Sequence, residues 1–203
     1  MKNLIPASFI FCLLVMIFAC ESKSPEGNTK SKKVVMKLPA PFQKHLKVEV
    51  GPELIFDIFS WGRGADSTSS LLILRSDSLK NEFSVASSDN INGRLQEVFN
   101  TDMDDDNNPE IIVFYTLNDK YESAEVMCFE FNGKNVNKIR FPDLSSKTKK
   151  QYHGLDDFYV KEGKLYREFN IYDEADTTGK NALEKKKIQY FLKNNSFDSK
   201  ELE

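Results

Sequence analysis

The feature that most constrains this chain is the spacing of its apolar runs. From about residue 46 onward, short segments rich in Val, Ile, Phe and Tyr are broken at close intervals by clusters of Gly, Asn, Asp and Ser. Such runs lack the recurrence at three and four residues that a helix needs to bury one face. They carry the composition of strands separated by turns. Strands are expected at 46–50, 54–59, 71–75, 82–86, 95–100, 110–116, 124–131, 136–141, 158–161, 164–172 and 187–192. Two hairpins are specified by their turns, one across Asn132-Gly133 and one across Glu162-Gly163, because such pairs tolerate the positive φ of tight hairpin loops. Parallel pairing would need crossover helices, so the expected class is all-β: an antiparallel β-sandwich or open barrel built from hairpins. Residues 173–181 lack any periodicity and read as a long surface loop, and no internal sequence repeat is visible.

The N-terminus differs in character. Met1-Lys2-Asn3 precedes an almost unbroken apolar run from Leu4 to Ala19, one positive charge followed by a core too short for a comfortable bilayer span. The run ends in Ile17-Phe18-Ala19-Cys20, which resembles the lipobox of bacterial lipoproteins. That resemblance implies cleavage before Cys20 and fatty acylation, palmitate included, of its thiol. The expected organisation is a signal peptide over 1–19, a lipidated cysteine and polar tether over 20–33, one β-rich domain over 34–197 and a flexible tail over 198–203. The tether holds too little apolar surface to offset the entropy of ordering it. The expected location is the periplasmic or cell-surface face of the outer membrane, held by lipid alone.

With Cys12 in the signal peptide and Cys20 acylated, Cys128 stands alone in the folded part. Its apolar surroundings mark it as a small buried hydrophobe. Acidic and basic residues number 31 and 28 and are interspersed, which argues against nucleic acid as a partner. Lys147-Thr148-Lys149-Lys150 and Lys185-Lys186-Lys187 read as solvated faces or as basic patches for an acidic partner.

One segment carries metal-binding chemistry. Asp102, Asp104 and Asp106 alternate, and Glu110 follows just before the apolar run Ile111–Phe114. Carboxylates at alternating positions converge when the chain curls into a loop, and calcium takes six to eight such oxygens. It is not a complete EF-hand loop, because Val113 stands at the twelfth position, where a bidentate glutamate belongs. Asn107 takes the usual glycine position, and asparagine enters the left-handed region readily. The alternative is an acidic turn in which Asp and Asn side chains cap their own backbone. Calcium is therefore the candidate ion, with no cofactor certain.

No catalytic centre is legible. The chain lacks a nucleophile elbow, a phosphate loop and a His-Glu-x-x-His motif. His45 and His153 have no neighbouring ligands at zinc spacing, and Asp156 and Asp157 would point to opposite faces of a strand. The expectation is a binding protein without enzymatic activity. The polar loop between two of the most apolar strands carries Lys120, Tyr121 and Ser123, and loops on rigid β scaffolds often bind partners.

The order of several motifs is similar to a known family. Leu95–Phe99 leads into Asp102, Asp104, Asp106, Pro109 and Glu110; Phe129-Glu130-Phe131-Asn132-Gly133 follows; then come Tyr152-His153-Gly154, Gly163-Lys164-Leu165, Arg167-Glu168-Phe169 and Ile188-Gln189-Tyr190. From about Arg94 to Phe197 this resembles the periplasmic inhibitors of invertebrate-type lysozyme. The resemblance implies a β-sandwich that blocks a lysozyme cleft with a surface loop, whose serine and tyrosine bond the catalytic carboxylates. A muramidase works with two carboxyl groups ~5–9 Å apart, which a donor-rich loop can occupy together. Here the corresponding residues are Lys120, Tyr121 and Ser123, in a loop without the family's glycines. The expected partners are a lysozyme and, through Cys20, the membrane, with a homodimer left open. The alternative reading is a calcium-dependent cell-surface binding module that inhibits no lysozyme.

Overall fold

The computed structural model describes residues 32–33, 38–62 and 69–202, and the backbone there is mostly strand. The signal peptide, Cys20 and most of the expected tether lie outside the described residues. Three antiparallel meanders follow one another along the chain. Sheet 1 holds a two-residue β1 (Lys32–Lys33), then β2 (Phe42–Gly51), β3 (Leu54–Gly62), β4 (Ser69–Asp77) and β5 (Glu82–Ile91). Sheet 2 holds β6 (Gly93–Thr101), β7 (Glu110–Leu117), β8 (Ala124–Asn132) and β9 (Asn135–Ile139). Sheet 3 holds β10 (Asp157–Lys161), β11 (Lys164–Tyr172), β12 (Ala182–Lys193) and β13 (Ser196–Leu202). Between sheets 2 and 3 runs one short helix, α1 (Ser146–Gln151), whose N-terminus is capped by Ser145 accepting the Thr148 N–H.

The sheets stack in three layers, so the expected antiparallel sandwich forms with a third sheet added. One core lies between sheets 1 and 2, where Leu46, Val48, Phe56, Ile58, Leu71 and Ile73 meet Val98, Ile111, Val113, Phe129 and Phe131. The second lies between sheets 2 and 3, where Phe99, Ile112 and Cys128 meet Phe158, Leu165, Phe169 and Tyr190. Rings tie the layers together: Phe56 meets Phe131 edge-on at 4.9 Å, and Phe114 meets Phe158 at 4.9 Å. Sheet 2 is thus covered on both faces, which explains the unbroken run on β7. Ile111 and Val113 serve one core, and Ile112, the residue between them, serves the other.

Several boundaries depart from the sequence reading. Residues 198–202 are not a tail: β13 pairs with β12 from Lys193↔Ser196 to Lys187↔Leu202. Its polar sequence hides it, and Asn194 and Asn195, both at positive φ (49° and 58°), make the turn. The last two tether residues, Lys32 and Lys33, pair with Lys47 and Leu46 on β2. The second expected hairpin turns as anticipated, with Glu162 and Gly163 at φ 51° and 69°. The first has the expected partners, Phe131↔Val136, but Asn132 pairs with Asn135, so Gly133 (φ 57°) and Lys134 occupy the turn.

Candidate functional site

The loop between β6 and β7 draws Asp102, Asp104, Asp106 and Glu110 together: one carboxylate oxygen from each lies within 4.8 Å of the others. The curl has local causes. Asp102 accepts the backbone N–H groups of Asp106 (3.0 Å) and Asn107 (3.2 Å), and Asp106 accepts that of Asn108 (2.8 Å). Asp105 and Asn107 take positive φ, 57° and 66°, which places asparagine in the left-handed region as its position in the motif anticipates.

Glu110 differs from the three aspartates because it is the first residue of β7 and is fully buried. Its Oε2 accepts from the Thr101 hydroxyl (2.8 Å) and the Met103 N–H (2.9 Å). Its Oε1 is buried without a hydrogen-bond partner, as is Oδ1 of Asp104. Burial pushes the Glu110 carboxyl up to about 8, with the charges of Asp104 and Asp102 adding to the rise and the two hydrogen bonds opposing it. Asp102 is also raised, first by burial. An unpaired buried carboxylate oxygen costs on the order of 1–3 kcal/mol or more, and a hard cation bound by the four carboxylates would relieve that cost. The residues present therefore fit a calcium-type ion.

Glu110 has a buried neighbour. It pairs across the ladder with Glu130 on β8, whose Oε1 accepts from the side-chain amides of Asn137 (3.3 Å) and Asn195 (3.1 Å). Nothing in the spacing of Glu130 and Asn195 announces this contact. Cys128, two residues before Glu130 on β8, is fully buried, as expected, and burial together with the two glutamates pushes its thiol well up.

Lys120, Tyr121 and Ser123 occupy the β7–β8 loop, at the far end of β7 from the acidic loop, about 24 Å away along an eight-residue strand. The two candidate sites are not brought together. Asp119 holds the loop by accepting the N–H groups of Tyr121 (3.2 Å) and Ser123 (2.8 Å), and these bonds lower its carboxyl against the effect of burial. Lys120 donates to the Thr177 carbonyl (2.9 Å) and to the Tyr121 hydroxyl (3.1 Å). The Tyr121 ring stacks on His153 at 4.3 Å, and His153 stacks on Tyr172 at 4.6 Å. His153 is thus a structural residue, as is His45, which bonds Asp57 at 2.6 Å and stacks on Phe59.

Beside this loop opens a groove of about 490 Å³, walled by Tyr121, Ser123, Phe141, Leu144, Tyr152 and Arg167 among others. At its floor the buried Arg167 donates through Nε to Asp156 at 2.5 Å and lies against the rings of Tyr152, Phe158 and Phe169. The Tyr152 hydroxyl donates to Asp156 and accepts the Ala124 N–H at 2.8 Å. Burial, then the Asp156 charge, raises the Tyr152 phenol. As the alternation anticipates, Asp156 turns inward while Asp157 is exposed. The network was not legible beforehand, because eleven residues and a turn separate Asp156 from Arg167. Compared with family models, curated proteins and solved structures, the chain matches none.

Proposed function

We propose that this chain is an exported, lipid-anchored β module without catalytic activity, whose β6–β7 loop binds calcium. The observation that carries the reading is Glu110, a fully buried carboxylate with one oxygen unpaired among three aspartates. Asp102, Asp104, Asp106 and Glu110 would hold the ion, and backbone carbonyls or water would complete a shell of six to eight oxygens. Four carboxyl groups drawn onto one cation would fix the entry of β7, a strand that serves both cores. Calcium at about a hundredfold excess over its Kd should stabilise the fold by about 2.7 kcal/mol, a rise in Tm of about 5–10 °C for a chain of this size. Glu110→Gln should keep the metal-free Tm and lose most of that rise. Identical melts with calcium and with chelator would dismiss the ion.

A second reading, inhibition of an invertebrate-type lysozyme, is favoured by the rigidity of the β7–β8 loop. Asp119 fixes its backbone and His153 fixes Tyr121, so inserting it into a cleft would cost little conformational entropy. The chain from Ser22 onward should then slow lysis of peptidoglycan by such an enzyme, and Tyr121→Ala should weaken the effect. Unchanged lysis at high molar excess removes this reading and leaves the calcium site untouched.

A further inference from the structure

Sheet 2 leaves one stretch of edge open. β8 is nine residues long and pairs with β7 as far as Thr116↔Ala124, but the five-residue β9 reaches only to Cys128↔Ile139. The Phe131 N–H bonds the Pro109 carbonyl, and the Ser123 carbonyl accepts from Leu117, so the odd-numbered residues here spend their backbone groups on the β7 side. Antiparallel pairing alternates, so Ala124 and Val126 aim theirs toward the side that β9 has left. Tyr152 takes the Ala124 N–H at 2.8 Å. Among the described residues no backbone group bonds the Val126 N–H or carbonyl. A strand edge with a free donor and a free acceptor is a template for another strand.

This edge lies in the groove beside the β7–β8 loop and not on an open surface. Beyond Ile139 the chain leaves the ladder, and Pro142 has no N–H with which to resume pairing. Phe141, Leu144, Val126 and Tyr152 line the groove together and pack against the same core. Ring contacts with Tyr190 at 4.6 Å and Phe197 at 5.1 Å fix Phe141 in its wall. The four residues of open edge offer a slot of about 14 Å, at ~3.4 Å per residue, which a short extended segment fills and a folded surface cannot enter. The outer edge of β13, by contrast, carries Asp198, Lys200 and Glu201, the kind of charged side chains that keep an edge from pairing.

Register names the chemistry of the occupant. A strand standing where a longer β9 would run, antiparallel to β8, sets one residue opposite Val126, on the face of Phe141 and Leu144. Its neighbours stand opposite Glu125 and Met127, on the other face. Glu125 is exposed and accepts the Tyr115 hydroxyl at 2.5 Å, and opposite charges across a strand pair attract. The rest of the rim agrees in sign: Asp119 and Asp143 stand against Lys149, with Asp143 shared by Arg140, while Arg167 on the floor is already paired with Asp156. We propose that the groove receives an extended segment of another polypeptide, alternating apolar and basic side chains, as an added strand beside Ala124–Met127. The proposal rests on neither the calcium nor the lysozyme reading.

The probe is a capped peptide of alternating lysine and valine, Lys-Val-Lys-Val-Lys, with a counterpart carrying glutamate in place of lysine. Each would be titrated to millimolar concentration into the isotope-labelled protein. Expected are a shifted Val126 amide resonance, hydrogen exchange at Val126 slowed at least fivefold at saturation, and binding at least tenfold tighter for the lysine peptide. Methylating the backbone nitrogens of both peptide valines removes the N–H groups that pair with Val126 and keeps the charge, and it should abolish binding. Glu125→Gln should cut the preference for the lysine peptide to threefold or less at an unchanged Tm. An unmoved Val126 resonance overturns the proposal. So does equal binding of the methylated peptide, which would reduce the contact to charge alone, or a preference untouched in Glu125→Gln. Exchange at Val126 that slows with protein concentration in the absence of peptide also overturns it, by assigning the edge to a second copy.

Discussion

Single buried charges set the sharpest energetic terms in this protein. Arg167 and Asp156 form an ion pair with side-chain exposures of 6% and 0%, enclosed by Tyr152, Phe158 and Phe169. Both side chains are buried, so removing one partner leaves the other's charge without its counter-ion. Arg167→Met should cost about 3–5 kcal/mol, whereas replacing Arg167 and Asp156 together by apolar residues of similar volume should cost much less. Urea unfolding of both single variants and the double variant checks this, and a double loss equal to the sum of the two single losses would show that the pair is not coupled. Gly154 makes a comparable demand through its backbone. It sits at φ 71°, and a Cβ there would lie 1.8 Å from the Tyr121 carbonyl oxygen. Gly154→Ala should therefore push the β7–β8 loop out of place, lowering the Tm and raising hydrogen exchange at Tyr121 and Ser123, even though neither residue is altered.

Elements were legible in the sequence where alternation and turn chemistry agreed. β11 spans Lys164–Tyr172 as expected because Leu165, Arg167, Phe169 and Ile171 all turn inward. β13 was not legible because Phe197 is the one aromatic in a polar run, and an edge strand needs no apolar face to pair. The acidic loop was legible as a metal candidate from spacing alone. The burial of Glu110 was not, since it depends on Thr101 and on the sheet above it. Sheet 3 also displays an element-level charge pattern invisible along the chain. Glu168 on β11 bonds Lys185 and Lys187 on β12 and Tyr159 on β10, and these bonds hold its carboxyl down at about 2, against an ordinary 4.5. A carboxyl whose folded value is depressed stabilises the fold above its unfolded value and loses that contribution as pH falls through the folded one. The Glu168 contribution is thus present above about 4.5 and vanishes toward about 2. Glu168→Gln should lower the Tm at pH 6 and flatten its decline between pH 4.5 and 2, and parallel curves for the two proteins would contradict the assignment.

At the scale of the whole molecule the decisive feature is a middle sheet without a free face. Ile111 and Ile112 are adjacent and both fully buried, yet they point into different cores. The three meanders could be mistaken for three independent units, because each pairs only within itself and no sequence repeat or linker distinguishes them. Sheet 2 rules that out on energetic grounds: stripped of sheet 1 or sheet 3 it would expose one complete row of large apolar side chains, at about 25 cal/mol per Å² of surface uncovered. The two cores should therefore melt as one. Ile111→Ala and Ile112→Ala should each cost about 2–5 kcal/mol and shift a single transition, with Trp61 fluorescence, which reports sheet 1, and far-ultraviolet dichroism moving together. If Ile112→Ala instead left the Trp61 transition in place while the dichroism melted earlier, sheet 3 would be unfolding by itself, and the stack would be two cooperative units joined at sheet 2.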